Sequence, residues 1–516
     1  MTDATPTAPI RTASGHVRGL TQGALSVFRG IPYAQPPVGA LHLAAPEPTP
    51  PWDGVRDAFA FGPPPPQSLV GGLTGRSVPE GEDWLTVNVW SPDLGAAGLP
   101  VLVYVYGGAY VTGSTDGPHY DGSALAARGA VVVTLNYRVG AEGFGVFDGA
   151  PANRGLLDQV AALRWVRENI AAFGGDPGRV TVFGESAGAG SVASLLAMPS
   201  AAGLFRRAVA QSVPGTFFTL GLARDIGARI AERLGVPGAG AAELAACAPK
   251  ALRDATDDLI RALPEYADSW GRVAHTMTPF SPVVDGEVLP ATPWEALAGG
   301  AARDVELLVG HNRDEYRLFT IMAGRYGKTT EEEATEALLR FGPGPGAEAG
   351  YRTAYPSADP TRLHELVMSD WLFRMPSLRL AEAHAAAGGT AYAYELCWEA
   401  PGADGAMGAC HALDVPLVFG TLDSDFGGLF LGPGELPDAA VELSREMGDA
   451  WTAFATGGDP GWAPFTAGER ATRVLDAPSH TASYPEEASR LLWEDFGFAP
   501  LDLESGGSAP GRRADG

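Results

Sequence analysis

The chain has 516 residues, 45% apolar and 19% charged, an ordinary globular balance with ample material for a large buried core. A formal net charge of −25 repels phosphate backbones and anionic lipid, so neither a nucleic acid nor a membrane surface is an expected partner. No apolar run approaches the roughly 20 residues that span a bilayer, and the three cysteines, Cys247, Cys397 and Cys410, give neither a disulfide framework nor metal-ligand spacing.

In chain order, residues 1–9 lack the basic stretch and apolar core of a signal peptide. With the cysteine pattern, this leads us to expect a soluble cytoplasmic protein. Residues 101–106 (VLVYVY) and 130–136 (AVVVTLN) are short continuous apolar runs, the pattern of strands buried on both faces. Leu156, Val160, Leu163, Val166 and Ile170 recur at spacings of three and four, which predicts one apolar helix face. Asp176-Pro177-Gly178 predicts a turn before a strand at 180–183 (VTVF). Residues 226–266 are helix-prone and poor in strand signals, and read as part of an insertion, around 220–300, over the sheet. Strands follow at 305–309 and 391–396, and Val441, Met447, Trp451 and Phe454 mark another amphipathic helix. Strands alternating with helices predict an α/β fold with a mostly parallel sheet covered on both sides. We expect one domain over residues 1–504 and a disordered polar tail at 505–516.

Gly184-Glu185-Ser186-Ala187-Gly188 matches G-x-S-x-G. In a chain with 68 glycines the match alone is weak, but an apolar strand precedes it and a helix-forming segment follows. Strand, tight turn and helix in that order are the setting of a nucleophile elbow in an α/β-hydrolase fold. Attack of Ser186 on an ester carbonyl requires backbone N–H groups for the developing oxyanion. The N–H of Ala187 supplies one, and Tyr106-Gly107-Gly108-Ala109, after the first apolar run, places Gly108 and Ala109 as the others. The serine also needs a base and the base an orienting carboxylate, in the order Ser, acid, His. Of the late histidines (His311, His364, His384, His411, His480), His411 stands on a Gly-containing loop shortly after the strand at 391–396. The strand at 305–309 ends in Gly310-His311-Asn312-Arg313-Asp314-Glu315, and spacing does not separate Asp314 from Glu315 as the acid.

Together these motifs resemble the type-B carboxylesterase and cholinesterase family, above all its bacterial para-nitrobenzyl-esterase-like members. The resemblance covers most of the chain: residues 30–39 (GIPYAQPPVG), 82–89, 153–191 around the serine, 282–286 and 451–460. It implies the α/β-hydrolase fold and carboxylic ester hydrolysis through an acyl-enzyme. The family's acid, in G-x-N-x-x-E, falls on Glu315. Its histidine, in G-x-x-H-x-x-[DE], falls on His411. Its oxyanion hole falls on Gly108, Ala109 and Ala187, and a buried Arg138–Asp158 ion pair is implied. Glu185 would sit near the base, and Phe217, Phe218, Leu318 and Phe319 are candidate pocket walls. The chemistry calls for no cofactor and no metal, and the partner is a small-molecule ester. The same machinery also serves carbamates, thioesters, lactones and activated amides, and a non-catalytic cholinesterase-like binding protein is the remaining alternative. The oligomeric state is left open, a monomer being compatible.

The departures are specific. Trp84 and Pro65 stand where secreted members have a cysteine pair, and the loop from Ser68 to Asp83 lacks the aromatic residue that holds a quaternary ammonium in cholinesterases. Leu41-His42-Leu43 replaces Leu-Arg-Phe, which removes the expected arginine partner of Glu82.

Overall fold

A computed structural model describes residues 4–68 and 81–504. The tail expected beyond 504 and most of the Ser68 to Asp83 loop lie outside the described residues. A twelve-stranded sheet forms the centre: β1 (Thr5–Pro6), β2 (Leu20–Gln22), β3 (Leu25–Pro32), β4 (Thr86–Ser91), β5 (Leu99–Val105), β6 (Val131–Leu135), β7 (Gly175–Glu185), β8 (Arg207–Gln211), β9 (Glu306–Asn312), β10 (Ala391–Leu396), β11 (Ala471–Leu475) and β12 (His480–Ser483). Their order is β1-β2-β3-β4-β6-β5-β7-β8-β9-β10-β11-β12. From β6 to β11 every neighbouring pair is parallel, whereas both edges are antiparallel.

The apolar runs account for the parallel core. All of β6 is buried, and so is β5 after its first residue. Continuous apolar sequence is what a strand covered on both faces requires. The covering elements include α1 (Arg154–Asn169), α2 (Ala187–Ala197), α3 (Met375–Ala386) and α4 (Asp438–Gly457). In α1, Leu156, Val160, Leu163 and Val166 are buried, as their spacing predicts.

The turn expected at Asp176 to Gly178 appears as an irregularity inside β7. Its register to β5 shifts between Gly175 and Val180, and Asp176 Oδ1 accepts from Gly178 N at 2.8 Å. The expected insertion is helical, with helices at Leu220–Arg233, Ala241–Ala245 and Pro249–Arg261. A short parallel ladder closes its two ends, Phe218 and Thr219 pairing with Val283 and Val284.

Candidate active site

The loops that carry the chemistry leave the carboxyl ends of β5, β7, β9 and β10, where open α/β sheets form their sites. Ser186 joins β7 to α2 with φ 58° and ψ −125°, a conformation costly for an L residue. The flanking glycines let the turn close. A Cβ at Gly188 would lie 2.1 Å from the Val105 carbonyl oxygen, and one at Gly184 would lie 2.7 Å from the Gly188 backbone. The elbow therefore presses directly on β5, and only hydrogen atoms fit between the two.

The loop after β5 passes against the serine, since a Cβ at Gly107 would lie 3.1 Å from the Ser186 Cβ. Gly108, Ala109 and Tyr110 all have positive φ, which curls this loop tightly. The N–H groups of Gly108, Ala109 and Ala187 have no acceptor among the described residues. Three free donors around a serine are what an oxyanion needs.

Glu315 is fully buried just past β9. Its Oε2 accepts from His411 Nδ1 at 2.5 Å, and its Oε1 accepts from Ser212 Oγ at 2.5 Å and Asn312 N at 2.8 Å. Asn312 Nδ2 donates to the Cys410 carbonyl at 2.7 Å, which ties the histidine loop to the acid's strand. The adjacent Asp314 turns elsewhere, accepting from Arg313 Nη2 at 2.9 Å and Arg362 Nη1 at 2.6 Å. Burial favours its neutral form, but Arg317, Arg313 and Arg362 outweigh burial and hold its carboxyl down at about 2. Of the two residues that spacing does not separate, Glu315 touches the imidazole and Asp314 sits among three arginines.

His411 is enclosed. The Phe373 ring stacks on it at 4.2 Å between centroids, and Phe319 lies at 5.2 Å. Its Nε2 stands 3.1 Å from Glu185 Oε1, one residue before the serine. Among the described residues no hydrogen bond joins Ser186 Oγ to His411, so Nε2 faces the neighbouring carboxyl. Catalytic hydrogen bonds of this kind are often loose without substrate. Burial pushes the Glu185 carboxyl above its ordinary range, against the pull of His411. Burial also opposes a charged imidazole, but Glu185 and Glu315 outweigh it and raise His411 above its ordinary value. A third buried acid, Asp414, lies behind. Its Oδ2 accepts from Gln211 Nε2 at 2.7 Å and from the Tyr394 hydroxyl at 3.1 Å.

Three of these neighbours have no sequence signal as site residues. Ser212 and Gln211 end an ordinary apolar strand, and the positive φ of Ser212 is invisible in the sequence. Phe373 lies in a π-turn, Asp370–Arg374, that no local pattern marks. Among the candidate walls, Phe319 touches the imidazole and lines a cavity of about 310 Å³. Leu318, Phe217 and Phe218 are buried and do not line that cavity, and the Phe217 ring packs on Trp294 at 5.3 Å.

Arg138 and Asp158 form the implied ion pair, with Nη2 to Oδ1 at 2.7 Å and Nε to Oδ2 at 2.8 Å, both buried. His42 finds a different partner from the one its position suggested. Its Nε2 lies 3.2 Å from Glu142 Oε1, while Glu82 is exposed.

The sequence profile of the carboxylesterase family matches residues 6–482. The chain is 38% identical to the para-nitrobenzyl esterase of Bacillus subtilis over 497 residues, which cover 93% of this chain and 97% of that one. It is 34% identical to the phenmedipham hydrolase of Pseudarthrobacter oxydans, covering 91% and 95%. A solved carboxylesterase of Geobacillus stearothermophilus superposes with a TM-score of 0.82 at 37% identity, covering 94% of this chain and 100% of that one. The chain belongs to the carboxylesterase family, and it is an ester-cleaving serine hydrolase with the α/β-hydrolase fold.

Proposed function

We propose that Ser186 is the nucleophile, His411 its base and Glu315 the acid that orients the base, acting on small-molecule carboxylic esters. Ser186 Oγ attacks the ester carbonyl as His411 Nε2 takes its proton. The N–H groups of Gly108, Ala109 and Ala187 receive the oxyanion. The imidazolium then protonates the leaving alcohol, and water repeats the sequence on the acyl-enzyme with His411 again the base. Glu315 fixes the tautomer, because its Oε2 accepts the hydrogen bond from Nδ1–H and leaves Nε2 without a proton, free to act as the base.

One observation carries this reading. His411 is held by Glu315 on one nitrogen and meets, on the other, the residue next to a serine in a strained elbow. Ester relatives such as the para-nitrobenzyl esterase support para-nitrobenzyl and related small esters as the substrate class. The three cysteines are all free, which supports a reducing, cytoplasmic setting. Among the described residues no helix is long and apolar enough to cross a membrane. We read residues 1–504 as one domain.

The test is an ester panel on wild type and Ser186→Ala. The variant should lose about 10⁴- to 10⁶-fold in kcat with its thermal midpoint retained. An organophosphate should label the Ser186 peptide. Label on another serine, or turnover surviving the substitution, would refute the assignment.

A further inference from the structure

Asp314 takes no part in the proposed chemistry, yet it is buried directly beside the acid. Both of its oxygens are in use. Oδ2 accepts from Arg313 Nη2 at 2.9 Å and from Ala409 N at 3.3 Å. Oδ1 accepts from Arg362 Nη1 at 2.6 Å and from Arg317 Nη2 at 3.4 Å. The backbone adds a further tie, Asp314 N donating to the Ala409 carbonyl at 2.9 Å.

These partners come from the elements that carry the imidazole and its two aromatic neighbours. Ala409 is on the histidine loop, two residues before His411. Arg317 opens the helix Arg317–Met322, whose Phe319 ring lies 5.2 Å from the imidazole. Arg362 is on the helix Pro360–Ser369, which runs into the π-turn that presents Phe373 at 4.2 Å. Arg374 ends that turn and donates through Nη1 to the Arg313 carbonyl at 3.0 Å. The histidine loop rests on the cluster without a gap. Gly408 has φ 58°, and a Cβ there would lie 2.2 Å from Arg317 Nη1 and 3.0 Å from Asp314 Oδ2.

Three guanidinium groups and one backbone N–H therefore converge on one carboxylate. Only an ionised carboxyl accepts on both oxygens and offsets the positive charge. Burial opposes that charge, and the three arginines overcome burial and keep Asp314 ionised. An amide of the same shape has a single accepting oxygen, and its NH2 would meet donors whichever way it turned.

We propose that Asp314 is a positioning residue for His411, gathering the histidine loop and the helices behind Phe319 and Phe373 onto the end of β9 so that the imidazole stays on Glu315 Oε2. This rests on the reading of Ser186, His411 and Glu315 as the triad, and the two can fail separately.

The experiment measures kcat, KM and the rising limb of the pH profile on para-nitrophenyl acetate. Burial opposes a charged His411, but Glu185, Glu315 and Asp414 face it and outweigh burial. An imidazole that slips from Glu315 loses part of that support and titrates lower. Asp314→Asn should lose about 10²-fold in kcat, the cost of a misplaced catalytic group, with KM within about twofold and the limb at lower pH. Arg362→Gln changes a partly exposed side chain and should fold. It should lose about three- to tenfold in kcat, the worth of one hydrogen bond, and also lower the limb. Here the direction is diagnostic, because removing a positive charge would by charge alone raise the imidazole's pKa. Arg362→Lys should restore both readouts. If Asp314→Asn is folded, a kcat within about threefold of wild type, or a limb that stays in place, overturns the proposal. If it does not fold, Arg362→Gln decides, and a limb that stays or moves up overturns it. Turnover surviving in Ser186→Ala overturns the triad reading instead.

Discussion

His411 lies between two carboxyl groups with different duties, and the pH behaviour separates them. Glu315 is hydrogen-bonded on both oxygens and oriented, whereas Glu185 Oε1 faces Nε2 without a geometrically sound bond of its own. In the proposed mechanism His411 works as neutral imidazole, so activity should rise as pH passes its pKa. Because nearby acids raise that pKa, the rising limb of kcat/KM should be centred above the ordinary 6.5. Glu185→Gln keeps the shape, removes one negative charge and should move the limb to lower pH. A limb that stays in place would mean that Glu315 alone sets the imidazole's charge. The choice between the adjacent acids Asp314 and Glu315 was not legible from spacing. Both follow the same strand, and what parts them is in large part long-range: Arg362, 48 residues on, joins the neighbouring Arg313 and Arg317 around Asp314, and His411, 96 residues on, meets Glu315. The family motif separates them where local pattern does not. Glu185, expected near the base from its place beside the serine, has its Oε1 3.1 Å from His411 Nε2.

The elbow is the element whose local chemistry was most complete in the sequence. A buried strand, two glycines and a helix of small residues all point to one backbone path, and the structure follows it from β7 through Ser186 into α2. The tightness of the fit sets a prediction. Gly188→Ala would put a methyl 2.1 Å from the Val105 oxygen, and backbone cannot move aside as a side chain can. The helix start must shift instead, carrying the Ala187 N–H with it. We expect a loss of about 2–4 kcal/mol in stability, read as a lower urea midpoint, and about 10²-fold in kcat from misplaced groups. Unchanged kcat with full stability would show that α2 is free to slide on β5. The elements that sequence left faint are those without a period of their own. The π-turn with Phe373 depends on what packs against it, so no local pattern announces it, and Asp176-Pro177-Gly178 announces a turn without showing that β7 runs through it.

At the scale of the whole molecule the surplus of acid matters more than any single pair. Sixty-one Asp and Glu face 36 Lys and Arg. Many of the basic residues are already engaged, some buried, as Arg138 and Arg374 are, and some in surface pairs such as Arg229 with Glu232. The remaining acids repel one another across the surface, and folding brings them closer than they are in the extended chain. Exposed pairs contribute only about 0–1 kcal/mol each, so screening them costs little. Screening the surplus therefore decides the sign. Salt at about 0.15 M cuts exposed interactions beyond roughly 8 Å, while the buried pairs, out of reach of ions, keep their strength. The thermal midpoint should accordingly rise when NaCl is taken from about 10 mM to 150 mM, and by the same amount in KCl, because the effect belongs to ionic strength and not to a bound ion. A midpoint that falls with salt would mean that the surface pairs outweigh the surplus, and that the arrangement of charge, rather than its sum, governs this fold.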